Sequence, residues 1–230
     1  MPASPLQAVR DRIDNAARDG DRPAARLLAV AKTQPARALA SLVGQGQVAF
    51  GENYVQEAAA HQRELADLRL TPALEWHLIG HLQSNKAREA ALLFDWVQTL
   101  DREKLVTALA RHRPASKGAL NVLIQVNVDD ESSKHGCAPE AITGLAAAVA
   151  GEPALRLRGL MAIPAPAPDP AVRRAAFARM RALFDALRAE HATVDTLSMG
   201  MSDDLELAIA EGATMVRVGT ALFGARAPAP

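Results

Sequence analysis

Only five of the 26 basic residues are lysine, at 32, 86, 104, 117 and 134; the rest are arginine. An amine can lose its proton and condense with a carbonyl, which a guanidinium cannot do. The chain is also rich in alanine, and the bias toward arginine and alanine has a plain source in a GC-rich genome. Against that bias a retained lysine can mark a place where arginine does not serve. Lys32 closes the apolar run LLAVA and precedes Thr33, Gln34 and Pro35. Part-desolvated, its amine would be a nucleophile toward a carbonyl; on the surface it is only the end of a strand. A second anomaly is Arg217, in MVRVG. It either faces inward and must find a partner, or faces outward to a helix carboxylate. The segments SMGMSDD and RVGT add Ser202, Gly219 and Thr220, with Gly200 offering close backbone approach.

These residues must be positioned by a scaffold, and the chain has a rhythm of one. Short apolar or β-branched runs fall at 27–32, 47–52, 73–79, 94–100, 120–128, 156–163, 196–201 and 215–223. Helix-like segments alternate with them at 36–45, 53–68, 84–91, 101–112, 138–150, 170–191 and 203–211, after an opening helix at 5–19. The clearest, 170–191, spaces Val172, Ala176, Met180, Leu183, Phe184 and Leu187 on one face and starts at Pro170. Eight strand–helix units in 230 residues fit a single (β/α)₈ TIM barrel, a fold of roughly 250 residues. The expected organisation is one α/β domain over 1–230 with an extra N-terminal helix. A doubly wound sheet is the alternative, but AKTQPAR lacks the glycine fingerprint such folds carry after the first strand. The proline-rich stretch at 162–170 reads as a stiff loop.

Composition bounds the function classes. Acidic and basic residues balance at 26 each, and no basic stripe or aromatic platform points to nucleic acid. No apolar run approaches the roughly 20 residues of a membrane span. The N-terminus lacks the build of a secretory signal, and the single cysteine, Cys137, reads as an ordinary free thiol. The expectation is a soluble cytoplasmic protein.

In a barrel, chemistry gathers at the C-terminal strand ends, and phosphate is often held in the loops after the last two strands. Ser202, Gly219 and Thr220 stand there, although Ser202 could be a plain helix cap and Gly219 a tight turn. Asp203 and Asp204 would repel a phosphate unless they face solvent in a first helical turn. Together, an aldehyde for Lys32, a phosphate for these loops and a ring for Arg217 describe pyridoxal 5'-phosphate (PLP).

The blocks AVAKTQP, FGENYVQEA, WHLIGHLQSNK, LIQVNVDDESSKHG, LRGLMAIPAP, LSMGMSDDLELAI and VRVGTALFGAR make the chain resemble the pyridoxal phosphate homeostasis protein family. These are single-barrel relatives of the N-terminal domain of alanine racemase. The resemblance implies that Lys32 is the Schiff-base lysine and that Arg217 faces the pyridine nitrogen. It implies phosphate contacts at Ser202, Gly219 and Thr220, and cofactor-lining positions at Asn53, Met161, Ser198 and Met201. It also implies a monomer that buffers or delivers PLP in vitamin B6 homeostasis, with apo PLP-dependent enzymes as recipients and no established turnover.

Two rival readings remain. A PLP-dependent racemase or decarboxylase would need a second acid–base group beside the imine; His77, His81 and Tyr54 are the candidates. An arginine opposite the ring nitrogen argues against this, as does the want of a second domain to bring the tyrosine base that alanine racemase uses. A metal site at His77 and His81 would need both on one helix face, but the stretch reads as strand into turn. Lys86 and Lys134 lie in loops expected to open on the same face as Lys32, either as solvated charges or as aids to cofactor entry and release.

Overall fold

The computed structural model describes residues 3–67, 73–129, 135–165 and 167–224. Eight parallel strands close in sequence order into a barrel, β1 pairing with β8. They are β1 Arg26–Val30, β2 Ala49–Glu52, β3 Glu75–Leu78, β4 Trp96–Leu100, β5 Leu120–Gln125, β6 Leu155–Met161, β7 Thr196–Ser198 and β8 Met215–Val218. The helices are α1 Pro5–Asp19, α2 Ala36–Val43, α3 Val55–Asp67, α4 Ala87–Leu93, α5 Glu103–His112, α6 Ile142–Ala150, α7 Pro170–Glu190, α8 Leu205–Ala210 and α9 Thr220–Phe223. The (β/α)₈ expectation is met, and α1 is the extra helix.

Local chemistry sets the boundaries. Ser4 caps α1 through the Gln7 amide, and Asp169 caps α7 at the Ala171 amide, each ahead of a proline in the first turn. The face of α7 differs from the expected one: Ala176, Phe177, Met180, Phe184 and Leu187 are buried, whereas Val172 is exposed. Val172 lies in the first turn of α7, ahead of the buried stretch that begins at Ala176. The expected strand at 215–223 is shorter, because Thr220–Phe223 turns helical after Gly219.

One large apolar core lies between the strands and the helical ring. Two small clusters lie apart from it: Leu28, Ala49 and Met215, and Trp96, Leu123 and Met161. Polar side chains link the two. His77 stacks on Trp96, and the Gln98 amide donates to Met215 Sδ. No described helix is long and apolar enough to cross a membrane.

Candidate functional site

β1 ends at Val30, so Lys32 sits one residue beyond the strand, in a turn closed by the Gln34 amide donating to the Ala31 carbonyl (3.0 Å). Thr33 occupies the left-handed region, φ 62°, a conformation that costs a non-glycine residue roughly 1–2 kcal/mol. This turn lifts a half-buried Lys32 into a cleft of ≈ 200 Å³ lined also by Met201, Ser202, Arg217, Gly219 and Thr220. Six of the nine residues expected at the site therefore share one cleft at the C-terminal barrel mouth. Asp203 lines it too.

Arg217 faces inward and is buried. Its terminal nitrogens donate to neutral acceptors, Ser198 Oγ at 2.7 Å and the Ala162 carbonyl at 2.8 Å. Burial lowers the guanidinium to about 10, with the Asp204 charge opposing, so it stays charged at neutral pH. A buried cation held by neutral groups, beside an amine and two hydroxyls, favours an electron-rich or anionic ligand.

Ser198 lies beneath the cleft and does not line it. Its hydroxyl donates to Gln98 Oε1 at 2.7 Å, and the Gln98 amide donates to His77 Nδ1 at 2.9 Å. His77 Nε2 then meets Glu75 Oε1 at 2.5 Å, and Glu75 pairs with Arg26 at 2.8 Å. Every donor in this chain points the same way, from Arg217 down to Glu75, so His77 carries one proton, on Nε2. Burial drives its pKa down, in agreement. Burial pushes Glu75 up, but the His77 hydrogen bond and the Arg26 charge outweigh it and hold the carboxyl at about 2.

The remaining expected residues lie elsewhere. Met161 is fully buried against Trp96 and Leu123. Asn53 lines a neighbouring cleft with Tyr54, His81 and Lys86. A Cβ on Gly80 would fall 2.1 Å from the Asn53 carbonyl, so only glycine lets the β3 loop pack there. Lys86 pairs with Glu89 at 3.0 Å; Lys134 lies outside the described residues. His81 stacks on His135 in the loop after β3, while the ring of His77 points at Glu75 and Gln98, so the two share no helix face.

Ser202 is not the cap of α8; Asp204 holds that position, its side chain accepting from the Met201 amide at 2.7 Å. Gly200 takes φ 91° and packs where a Cβ would meet Ala208 at 2.4 Å, so its need for glycine comes from α8. Arg12 of α1 fixes this loop by donating to the Ser202 carbonyl (2.9 Å) while paired with Glu206 (2.6 Å).

Residues 5–227 match the family of the alanine racemase N-terminal domain. The pyridoxal phosphate homeostasis protein of Pseudomonas aeruginosa is 54% identical over 226 residues, covering 97% of this chain and 95% of that one. The Escherichia coli K12 protein of the same name is 54% identical over 224 residues, covering 96% and 95%. This chain belongs to the pyridoxal phosphate homeostasis protein family. A solved relative, PipY of Synechococcus elongatus, is 37% identical and superposes with TM-score 0.85 without PLP, over 96% of this chain and 98% of that one. The PipY structure with PLP bound gives 0.78, over 94% and 100%. Alanine racemase from Clostridium difficile, at 13% identity and TM-score 0.67, shares the barrel fold alone; the match covers 97% of this chain and 58% of that one.

In this family member, Gln98, His77, Glu75 and Arg12 are the structural partners that sequence reading did not assign to the site. A glutamine and a histidine inside apolar strands were the available signal, since such groups must find partners when buried.

Proposed function

We propose that this protein binds pyridoxal 5'-phosphate at the barrel mouth and serves PLP homeostasis by holding and releasing it. The observation that carries the reading is the single cleft that joins Lys32, Arg217, Ser202, Gly219 and Thr220. The names of its relatives and the PLP-bound PipY structure support it. When bound, the cofactor would supply an aldehyde, and the Lys32 amine would be the residue to hold it. Arg217, charged and buried, suits the ring nitrogen and disfavours its protonation. Ser202, Gly219 and Thr220 suit the phosphate, and Met201 covers the rim. Asn53, Met161 and Ser198 act from outside the cleft, Ser198 by orienting Arg217.

We infer binding without amino-acid turnover. A racemase or decarboxylase needs a second acid–base group at the cleft. Tyr54 is exposed in the neighbouring cleft, His77 is engaged by Glu75 and Gln98, and His81 stacks on His135. The remaining elements of the reading are one domain over the chain, a monomer, residence in the cytoplasm, and apo PLP-dependent enzymes as recipients.

The visible spectrum of the purified protein, taken with added PLP before and after borohydride and beside Lys32→Ala, tests this. A band that borohydride removes and the variant lacks is expected. No band in the wild type would overturn the ligand. The same reducible band in Lys32→Ala would overturn Lys32 as anchor. Rapid solvent deuterium exchange at an amino acid's α-carbon would overturn the absence of turnover.

A further inference from the structure

Lys32 stands on a strained turn, and something must hold that turn in place. Strain of this kind persists only where the surroundings over-determine the backbone. On one side the turn is tied by its own Gln34 amide and by the Ala31 amide donating to the Gly51 carbonyl at 2.9 Å. On the other side the Gln34 carbonyl faces His61 Nε2 at 2.8 Å. His61 comes from α3 and is buried; its Nδ1 lies 2.6 Å from Oε1 of Glu52, a fully buried carboxyl at the end of β2.

Both neighbours of the ring are acceptors. A carbonyl cannot donate, so Nε2 must carry a proton. The Nδ1–Oε1 contact must hold another, on one side or the other. Remove that second proton and a carboxylate faces a bare ring nitrogen at 2.6 Å. Either that contact or the bond to Gln34 then fails. The charged side chains acting on the pair come from α3, Glu57 on Glu52 and Glu64 on His61; β1–α2 contributes the Gln34 carbonyl. Glu52 Oε2 is buried without a hydrogen-bond partner, which makes a lone carboxylate there costly.

We propose that His61, seated on Glu52, is a positioning residue for Lys32: it grips the Gln34 carbonyl and holds the strained turn that presents the amine to the cleft. The proposal rests on the reading of Lys32 as the PLP anchor. Supporting it, the Glu52 hydrogen bond raises His61 against the effect of burial, and burial raises Glu52. The grip is therefore present below the raised value of His61 and is lost as pH rises through it.

The test is titration of PLP into wild type, His61→Leu and Glu52→Gln between pH 6.5 and 9.5, read by the borohydride-reducible band. Circular dichroism and urea unfolding check that each variant is folded. Wild type should lose affinity about tenfold across the alkaline step, the size expected for one hydrogen bond to a charged group. His61→Leu should bind about tenfold more weakly at pH 7, without that step. Glu52→Gln is the informative variant. An amide at this position can donate to Nδ1 of a neutral ring whose Nε2 still donates to Gln34, so affinity should persist to pH 9.5 with the step gone. If folded His61→Leu binds like wild type at every pH, the proposal falls. It falls equally if Glu52→Gln keeps the wild-type step, for the step then belongs to another group; this arm stands even if His61→Leu does not fold. If wild type gives no reducible band at all, the reading of Lys32 falls first and the proposal with it.

Discussion

His77 and His61 are both buried, and each has a glutamate within 2.6 Å, yet their protonation is pushed in opposite directions. His77 is pushed down and His61 up. Burial is the largest influence on His77, the more deeply buried ring, and the Glu52 hydrogen bond is the largest on His61; what faces the second nitrogen acts in the same sense. His77 Nδ1 receives the Gln98 amide, so a neutral ring satisfies both contacts. His61 Nε2 faces a carbonyl, so the second proton is needed. Proximity to a carboxylate therefore does not decide a histidine's charge; the whole set of its partners does. The first arrangement fixes Arg217 from inside the barrel at any ordinary pH, and the second ties the Lys32 turn from outside in a pH-dependent way.

The sharpest way to break this comparison is to remove each ring. His77→Ala should cost about 3 kcal/mol in urea unfolding, since it opens a cavity against Trp96 and strands Gln98 and Glu75. His61→Ala should cost less, about 1–2 kcal/mol, because the Glu52 carboxyl it strands, already raised by burial, can take up a proton. Equal costs would mean that the interior chain is no more than another buried contact.

Ser198→Ala should cost about 2 kcal/mol, as it leaves an Arg217 donor and the Gln98 oxygen unpaired in the interior. It should also weaken PLP binding without abolishing the reducible band. Loss of the band would make Ser198 a contact of the ligand itself.

Stability across pH should fall at both ends, with a slope of at most about 1.4 kcal/mol per pH unit for each proton. On the acid side the unfolded chain protonates His77 below about pH 6.5, while the folded ring resists. Its stabilisation is present above that value and lost as pH falls. Glu75, held at about 2, adds a loss between the usual carboxylate range and that value. On the alkaline side the raised His61 stabilises below its ordinary value and loses this as pH rises through the folded one. His77→Gln should flatten the acid arm and Glu52→Gln the alkaline arm; unfolding at pH 5, 7 and 9 separates them.

The smallest effect should be at Lys86, whose pairing with Glu89 is an (i,i+3) contact on a half-exposed surface. Lys86→Ala should change stability by less than about 0.5 kcal/mol. A large loss of PLP release with stability unchanged would give the neighbouring cleft a part in the transfer.

The barrel was legible because its signal is local. Apolar runs of strand length alternate with helical periodicity, and each run became a strand within a few residues of its expected limits. The failures have local causes as well. The expected strand 27–32 ends early, at Val30, where the chain enters the turn of the left-handed Thr33, and Thr220–Phe223 reads as strand but turns helical after Gly219. Lys32, Arg217 and the glycine–hydroxyl loops were visible as anomalies of type and place. Asn53 and Met161 came only by resemblance, and the structure sets both outside the cleft.

By itself, then, the sequence determined the eight-unit architecture and the residue types at the strand ends, because periodicity, turn chemistry and capping act over a few neighbours. Whether Arg217 faces in or out was beyond it, since both faces of a barrel strand are buried. So was the proton count on each histidine, which depends on Gln98, Glu52 and Gln34 arriving from other strands and loops as well as on Glu75 of the same strand as His77. The contacts on the rings span up to 27 positions, and the Ser198–Gln98 bond that joins Arg217 to His77 spans 100, a distance that only the folded barrel closes.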